Sequence, residues 1–226
     1  MALQIGAPLK TGVWPGAILA SIAHAIFVAR APIMSHEHSW DGGSYNVQNS
    51  AGSRGTIAFT DSNKDFVGVF YLEESRRNPL RFRSDIFDTT HLLPTLEPVA
   101  QEALQYLLQD VRGSTKPVIT AAFWSGAADR LDAAEPWDDV MRNGAILVGI
   151  QLADTTDAII RWQEEFELTT PEVGLLESLF ARRMTNPHVP IQLLSGEKQL
   201  VERTAAGREG MEACRESLGE IGITLS

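Results

Sequence analysis

Cysteine occurs once in this chain of 226 residues, at position 214. That single thiol excludes an internal disulfide and any cysteine-based zinc cluster. Basic residues are also scarce: 19 Lys and Arg stand against 29 Asp and Glu, a net charge of −10. A general nucleic-acid binder needs a basic face to neutralise phosphates, so the balance argues against that class. Signature motifs are missing as well. The chain contains no G-x-S-x-G elbow, no H-E-x-x-H and no G-x-x-x-x-G-K-[ST]. Gly113-Ser114-Thr115-Lys116 has phosphate-loop letters in the wrong order and follows a predicted helix, which makes it a turn.

One absence is local. Residues 1–33 hold no acid at all, so every Asp and Glu lies beyond them, and only Lys10 and Arg30 are charged there. Thr11 to Ala29 reads TGVWPGAILASIAHAIFVA, without charge. Ala29-Arg30-Ala31 has the small-x-small form of a signal-peptidase site, but Lys10 alone is a thin positive region. A membrane anchor over 11–29 is a second reading, weakened by Pro15, Ser21 and His24. A helix packed on the domain is a third. The abrupt change at Met34 favours a leader that stands outside the fold, as an artefactual start, a disordered stretch or a signal-like segment, with residues 34–226 as a single domain. The expected location is cytoplasmic, or exported if residues 1–31 are a signal peptide.

What is present is an ordinary globular composition, 44% hydrophobic, enough for a sizeable core. From residue 44 the runs SYNVQN, GTIAFT and FVGVFYL are rich in β-branched and aromatic residues and are separated by the turn-like SAGSR and DSNKD. They predict an antiparallel meander of 44–49, 55–60 and 66–72, with Ile57, Phe59, Val67 and Val69 buried. The third run is apolar on both faces, so it belongs in the middle of a sheet. Gly68 there marks a bulge or a close neighbour.

After residue 94 the pattern turns helical. TLEPVAQEALQYLLQDVRG predicts a helix over 96–112, packed through Val99, Ala103, Leu104, Leu107 and Leu108. PVITAAFWSGAA, PWDDVMRNGAILVGIQLA, TTDAIIRWQEEF and PEVGLLESLFARRM extend the helical reading, the end of the second being open to a strand. Thr170-Pro171-Glu172 opens the last of these and Arg182-Arg183 close it. Ser195 caps a final helix to about residue 218, weakened by Gly207 and Gly210. IGITL at the end reads as a short strand. Strands followed by helices give an α+β class: a three-stranded meander packed against about five to six helices.

Three groups of residues are candidates for chemistry or binding. His36, His38 and Asp41, in SHEHSWDGGSYNV, could serve a metal-dependent hydrolase, because two histidines at i and i+2 share one face of an extended chain. A metal needs three or four supported ligands, so the plainer reading is a solvated lead-in with Trp40 tucked onto the sheet and Asp41-Gly42-Gly43 as a turn. Arg76, Arg77, Arg81 and Arg83, in RRNPLRFR, could hold an anion, or pair with the chain's own surplus acids. Trp40 stands with them as a partner-binding candidate. No cofactor is expected. The composition suits a non-enzymatic acidic protein of the immunity or inhibitor type with a basic protein partner; the small metal-dependent hydrolase is the alternative.

Overall fold

The computed structural model describes residues 8–60, 65–82, 103–111, 114–126 and 129–225. The chain forms two compact units, each assembled from two stretches of sequence. One comprises Met1–Thr11 with Asp41–Gly149, and the other Gly12–Trp40 with Ile150–Ser226. The division does not fall at Met34.

The first unit is built on the meander. Strands β2 (Ser44–Gln48), β3 (Arg54–Phe59) and β4 (Phe66–Tyr71) pair antiparallel, with Tyr45 opposite Ile57 and Ile57 opposite Gly68. The sheet continues beyond them. Strand β1 (His38–Asp41) leads into it, and β7 (Ala121–Ser125) and β8 (Leu131–Asp132) complete the order β1-β2-β3-β4-β7-β8. After β4 comes the short helix α2 (Pro79–Phe82), and the short hairpin β5 (Leu108–Val111) and β6 (Ser114–Pro117) forms a sheet of its own.

As expected for a strand apolar on both sides, β4 is central and covered on both faces. On one face Ala58, Val69, Tyr71 and Ala122 pack with Ala103, Leu107, Val118 and Ile119. On the other, Phe70 and Phe123 lie with ring centres 5.3 Å apart. Helix α3 (Trp137–Asn143) and the 3-10 turn Ala145–Val148 border this layer. Gly68 is the close approach anticipated: a Cβ there would sit 2.8 Å from the Phe123 ring. Ile57, Phe59 and Val69 are buried, and Val67 is half-buried.

Two helical expectations are corrected. Residues 121–125 are a strand, because Ala121, Ala122 and Phe123 fill the open edge of β4 with side chains buried on both faces. Pairing with a half-finished sheet overrides the helix preference of alanine. Residues 108–111 are likewise a strand, so the helix expected over 96–112 does not reach its end. Ala103 and Leu107 are buried as expected, whereas Leu108 is exposed. Val99 lies outside the described residues.

The second unit is helical. Around α1 (Val13–Val28) stand α4 (Thr155–Glu165), α5 (Thr170–Thr185) and α7 (Gly207–Glu220), with α6 (Ser195–Thr204) packed on α5. Strands β9 (Ile191–Gln192) and β10 (Ile223–Thr224) pair in parallel, which places the terminal IGITL as a strand. Five α-helices thus follow the sheet among the described residues, and the class is α+β.

The first of the described α-helices lies inside the second unit. Val13–Val28 is buried around nearly its whole circumference: Ala17, Ala20, Ile22, Ala23, His24 and Ala25 have no exposed surface. An all-round apolar helix without charge is what a protein interior accepts without penalty. The segment Lys10–Val28 is also long and apolar enough to cross a membrane by length and composition, and 72% of its apolar window is buried inside the chain.

The final helix expected from Ser195 is two helices. Gly207 takes the left-handed conformation at φ 64° and starts the second. Gly210 lets it approach the end of α1: a Cβ at that position would lie 1.9 Å from the Ala29 carbonyl oxygen, which also accepts the Ala206 N–H at 2.7 Å.

Two outcomes check this architecture. A chain beginning at Met34 should lose the cooperative unfolding and the helical circular dichroism of the second unit, because α4, α5 and α7 would face an empty centre. Retention of the full-length melting temperature would contradict it. Leu107→Ala should lower stability by roughly 2–5 kcal/mol, the usual loss for a fully buried leucine, read as a shift in urea midpoint. A neutral effect would mean that this layer is not a core.

Candidate functional site

The sequence candidates disperse when placed in the fold. His36 sits in a turn after the 3-10 segment Pro32–Met34 and is exposed, with its Nδ1 3.0 Å from the Ile33 carbonyl oxygen. His38 begins β1 and is buried. The two do not share the face of one strand, because only the second belongs to a strand. Asp41 is exposed at the end of β1. Among the described residues, no group of three or more His, Cys, Asp or Glu side chains stands where it could hold a metal ion. The metal alternative built on His36, His38 and Asp41 therefore lacks its geometry.

His38 meets a different histidine. Its ring centre lies 4.6 Å from that of His24 on α1, the planes tilted by 37°. Phe27, Trp162 and Phe166 surround the pair. Phe166 lies 6.0 Å from His24 and 6.2 Å from His38, and Trp162 lies 5.7 Å from His38. Trp162 and Phe166 are stacked at 5.0 Å, and Phe27 and Phe166 at 4.7 Å. Burial is the main force on both imidazoles. It pushes His24 down to about 4 and His38 well below its ordinary value, so both are neutral near pH 7.

Trp40 is half-buried and stitched to two helices. Its indole N–H donates to Ser21 Oγ of α1 at 2.8 Å, and its backbone N–H donates to Glu220 Oε2 at the end of α7 at 2.9 Å. Glu220 opens a line of carboxylates. Glu209, Glu212, Glu216 and Glu220 are all exposed and recur at three- and four-residue steps, which puts them on one stripe of α7. Glu212 has an exposed contact to Arg215 at 3.2 Å. Desolvation, and the proximity of Glu216, raise the Glu220 carboxyl above its ordinary value; the Trp40 N–H opposes this. Glu37, close to His36 and Glu165, is raised by desolvation too.

The arginine candidates do not act as one cluster. Arg77 is turned into the fold, where it pairs with Glu135 and donates to the Thr120 carbonyl at 3.1 Å. It belongs to a clamp on the loop after β4. In that clamp Tyr71 donates to Glu73, Asn78 Nδ2 donates to the Tyr71 hydroxyl at 2.9 Å, and Ser75 Oγ donates to Asn143 Oδ1 at 2.9 Å. Arg76 and Arg81 are exposed, and Arg83 lies outside the described residues. Cys214 is wholly buried, and burial pushes its thiol up to about 12, so it supplies no thiolate.

One important pair was not singled out in the sequence. Arg30 donates to Glu172 Oε1 at 2.7 Å and also reaches the carbonyl oxygens of Phe166 and, at 3.2 Å, Glu167. The other oxygen of Glu172 accepts from the backbone N–H and the hydroxyl of Thr169, both at 2.8 Å. One buried carboxylate thus caps α5 and anchors the residue just beyond α1. The T-x-x-E spacing of a capping box was legible, although the cap is Thr169 and not Thr170. The Arg30 contact, 142 residues away, carries no local signal.

Glu172→Ala should cost about 2–3 kcal/mol, because it strands a partly buried guanidinium and uncaps a helix at once. Glu172→Gln keeps an acceptor for Thr169 and should lose less. Urea unfolding of both variants checks the order; equal and near-zero effects would dismiss the pair as a surface contact. Compared with known proteins, the chain matches no family model, no curated protein and no solved structure.

Proposed function

We propose that the protein is a non-enzymatic binding protein of the immunity or inhibitor type, which captures a basic protein partner through the carboxylates of its helical unit. The stripe Glu209, Glu212, Glu216 and Glu220 on α7 carries the reading. Like charges at i, i+4 each cost an isolated helix roughly 0.2–0.5 kcal/mol. A basic partner converts that repulsion into attraction. The stripe ends beside Trp40, and a half-exposed tryptophan next to charge is a common interface anchor.

Composition supports the same reading. The helical unit holds 14 acids against 8 Lys and Arg. Surface charge of one sign speeds encounter with an opposite surface, and the gain fades as salt screens the field over about 8–10 Å. Binding of this kind needs no activated nucleophile, and the buried, protonated thiol of Cys214 offers none.

The test begins with the tagged full chain used to recover a partner, followed by association kinetics at low and high ionic strength. The association rate should fall by an order of magnitude or more between them, and Glu209→Lys with Glu216→Lys should lower it at low salt. A rate indifferent to salt and to both reversals would overturn the reading. So would turnover of a substrate by the purified protein.

A further inference from the structure

We propose that the His24–His38 pair is an acid-sensitive latch of the helical unit: uptake of a proton by the pair loosens the packing of α1 on β1 and α4. The latch is independent of the binding reading above. Its basis is geometric. His24 Nε2 lies 3.1 Å from the Met34 carbonyl oxygen. A carbonyl only accepts, so Nε2 carries the hydrogen and Nδ1 is the bare nitrogen. That Nδ1 is buried without a hydrogen-bond partner. A proton arriving there creates an N–H with no acceptor, on a cation facing a second imidazole at 4.6 Å and the rings of Phe27 and Phe166.

Charged neighbours do not relieve it. On the α1 side, Arg30 lies over Phe27 at 5.5 Å and adds positive charge. His36, on the turn, lowers His24 further. From α4, Glu165 and Arg161 are exposed, while Trp162 and Phe166 face the pair. From α5, Glu172 is committed to Arg30 and Thr169. From α7, Glu220 is committed to the Trp40 N–H, and Cys214 is a neutral thiol.

The direction follows from linkage. Both imidazoles have folded-state values below about 6.5, their ordinary value when the chain is open. Between that pH and the folded values the open chain binds more protons. Stability from the pair is therefore complete above about pH 6.5 and falls as the pH drops, by up to roughly tenfold in the opening equilibrium per pH unit for each imidazole. The raised carboxyls of Glu37 and Glu220 act in the opposite sense, since the folded state takes up their protons more readily.

The full chain should be unfolded in urea at intervals from pH 7.5 to 5, alongside the variant His24→Phe/His38→Phe, which keeps ring volume and removes both proton sites. The wild type should open more easily by ten- to a hundredfold per unit below pH 6.5, and the variant should lose most of that slope. An unchanged slope in the variant would overturn the latch. If the variant does not fold, imidazole C–H resonances of the wild type decide: His24 and His38 should stay neutral in the folded chain down to pH 5, and titration of either near 6.5 would overturn it.

Discussion

Helix α1 has no polar face, and the helical unit follows from that constraint. Sixteen residues from Val13 to Val28 contain no charged group, so no side of the helix gains from facing water. Its neighbours supply apolar faces from three directions, α4, α5 and α7. Small side chains set how near they come. At the C-terminal end, Gly210 admits the α1 backbone to contact distance, and Ala206 donates to the Ala29 carbonyl. Just beyond, Arg30 gathers the Glu172 carboxylate and the carbonyls that close α4. An apolar helix fixed by one charged residue at its end is a compact way to hold separate sequence stretches together.

The same helix explains why polar groups inside this unit are special. Ser21 and His24 are the polar residues that α1 takes into the interior, and each reaches the segment that follows the helix. Ser21 receives the Trp40 indole; His24 receives His38 against its ring and bonds the Met34 carbonyl. The stretch from His36 to Asp41 meets α1 through two of its residues. Its second histidine and its tryptophan are anchors, and its first histidine and aspartate lie at the surface.

The sheet was legible where local pattern decides the outcome. Alternation and turn chemistry placed three strands and their order, and the two-faced apolar run located β4 in the centre. It failed at Ala121–Ser125, whose alanines read as helix until β4 offers them an edge. The apolar run Val13–Val28 was open to several readings for a related reason. An uncharged apolar run looks the same in a signal peptide, a membrane span and a core helix, and only the residues that come to surround it decide. The contacts that matter most for the site, Arg30 with Glu172 and Trp40 with Glu220, join positions 142 and 180 residues apart. No periodicity or spacing rule reaches that far. The arginine run was legible as charge but not as geometry, because Arg77 turns inward to Glu135.

Amide hydrogen exchange across Val13–Val28 tests the central claim most directly, because it reads the burial of α1 without altering the chain. If the helical unit is built around this helix, its interior amides exchange as slowly as the most protected amides of α5 and α7, and open only with the whole unit. Exchange of those amides at rates close to an unstructured peptide, while α5 and α7 remain protected, would contradict the account.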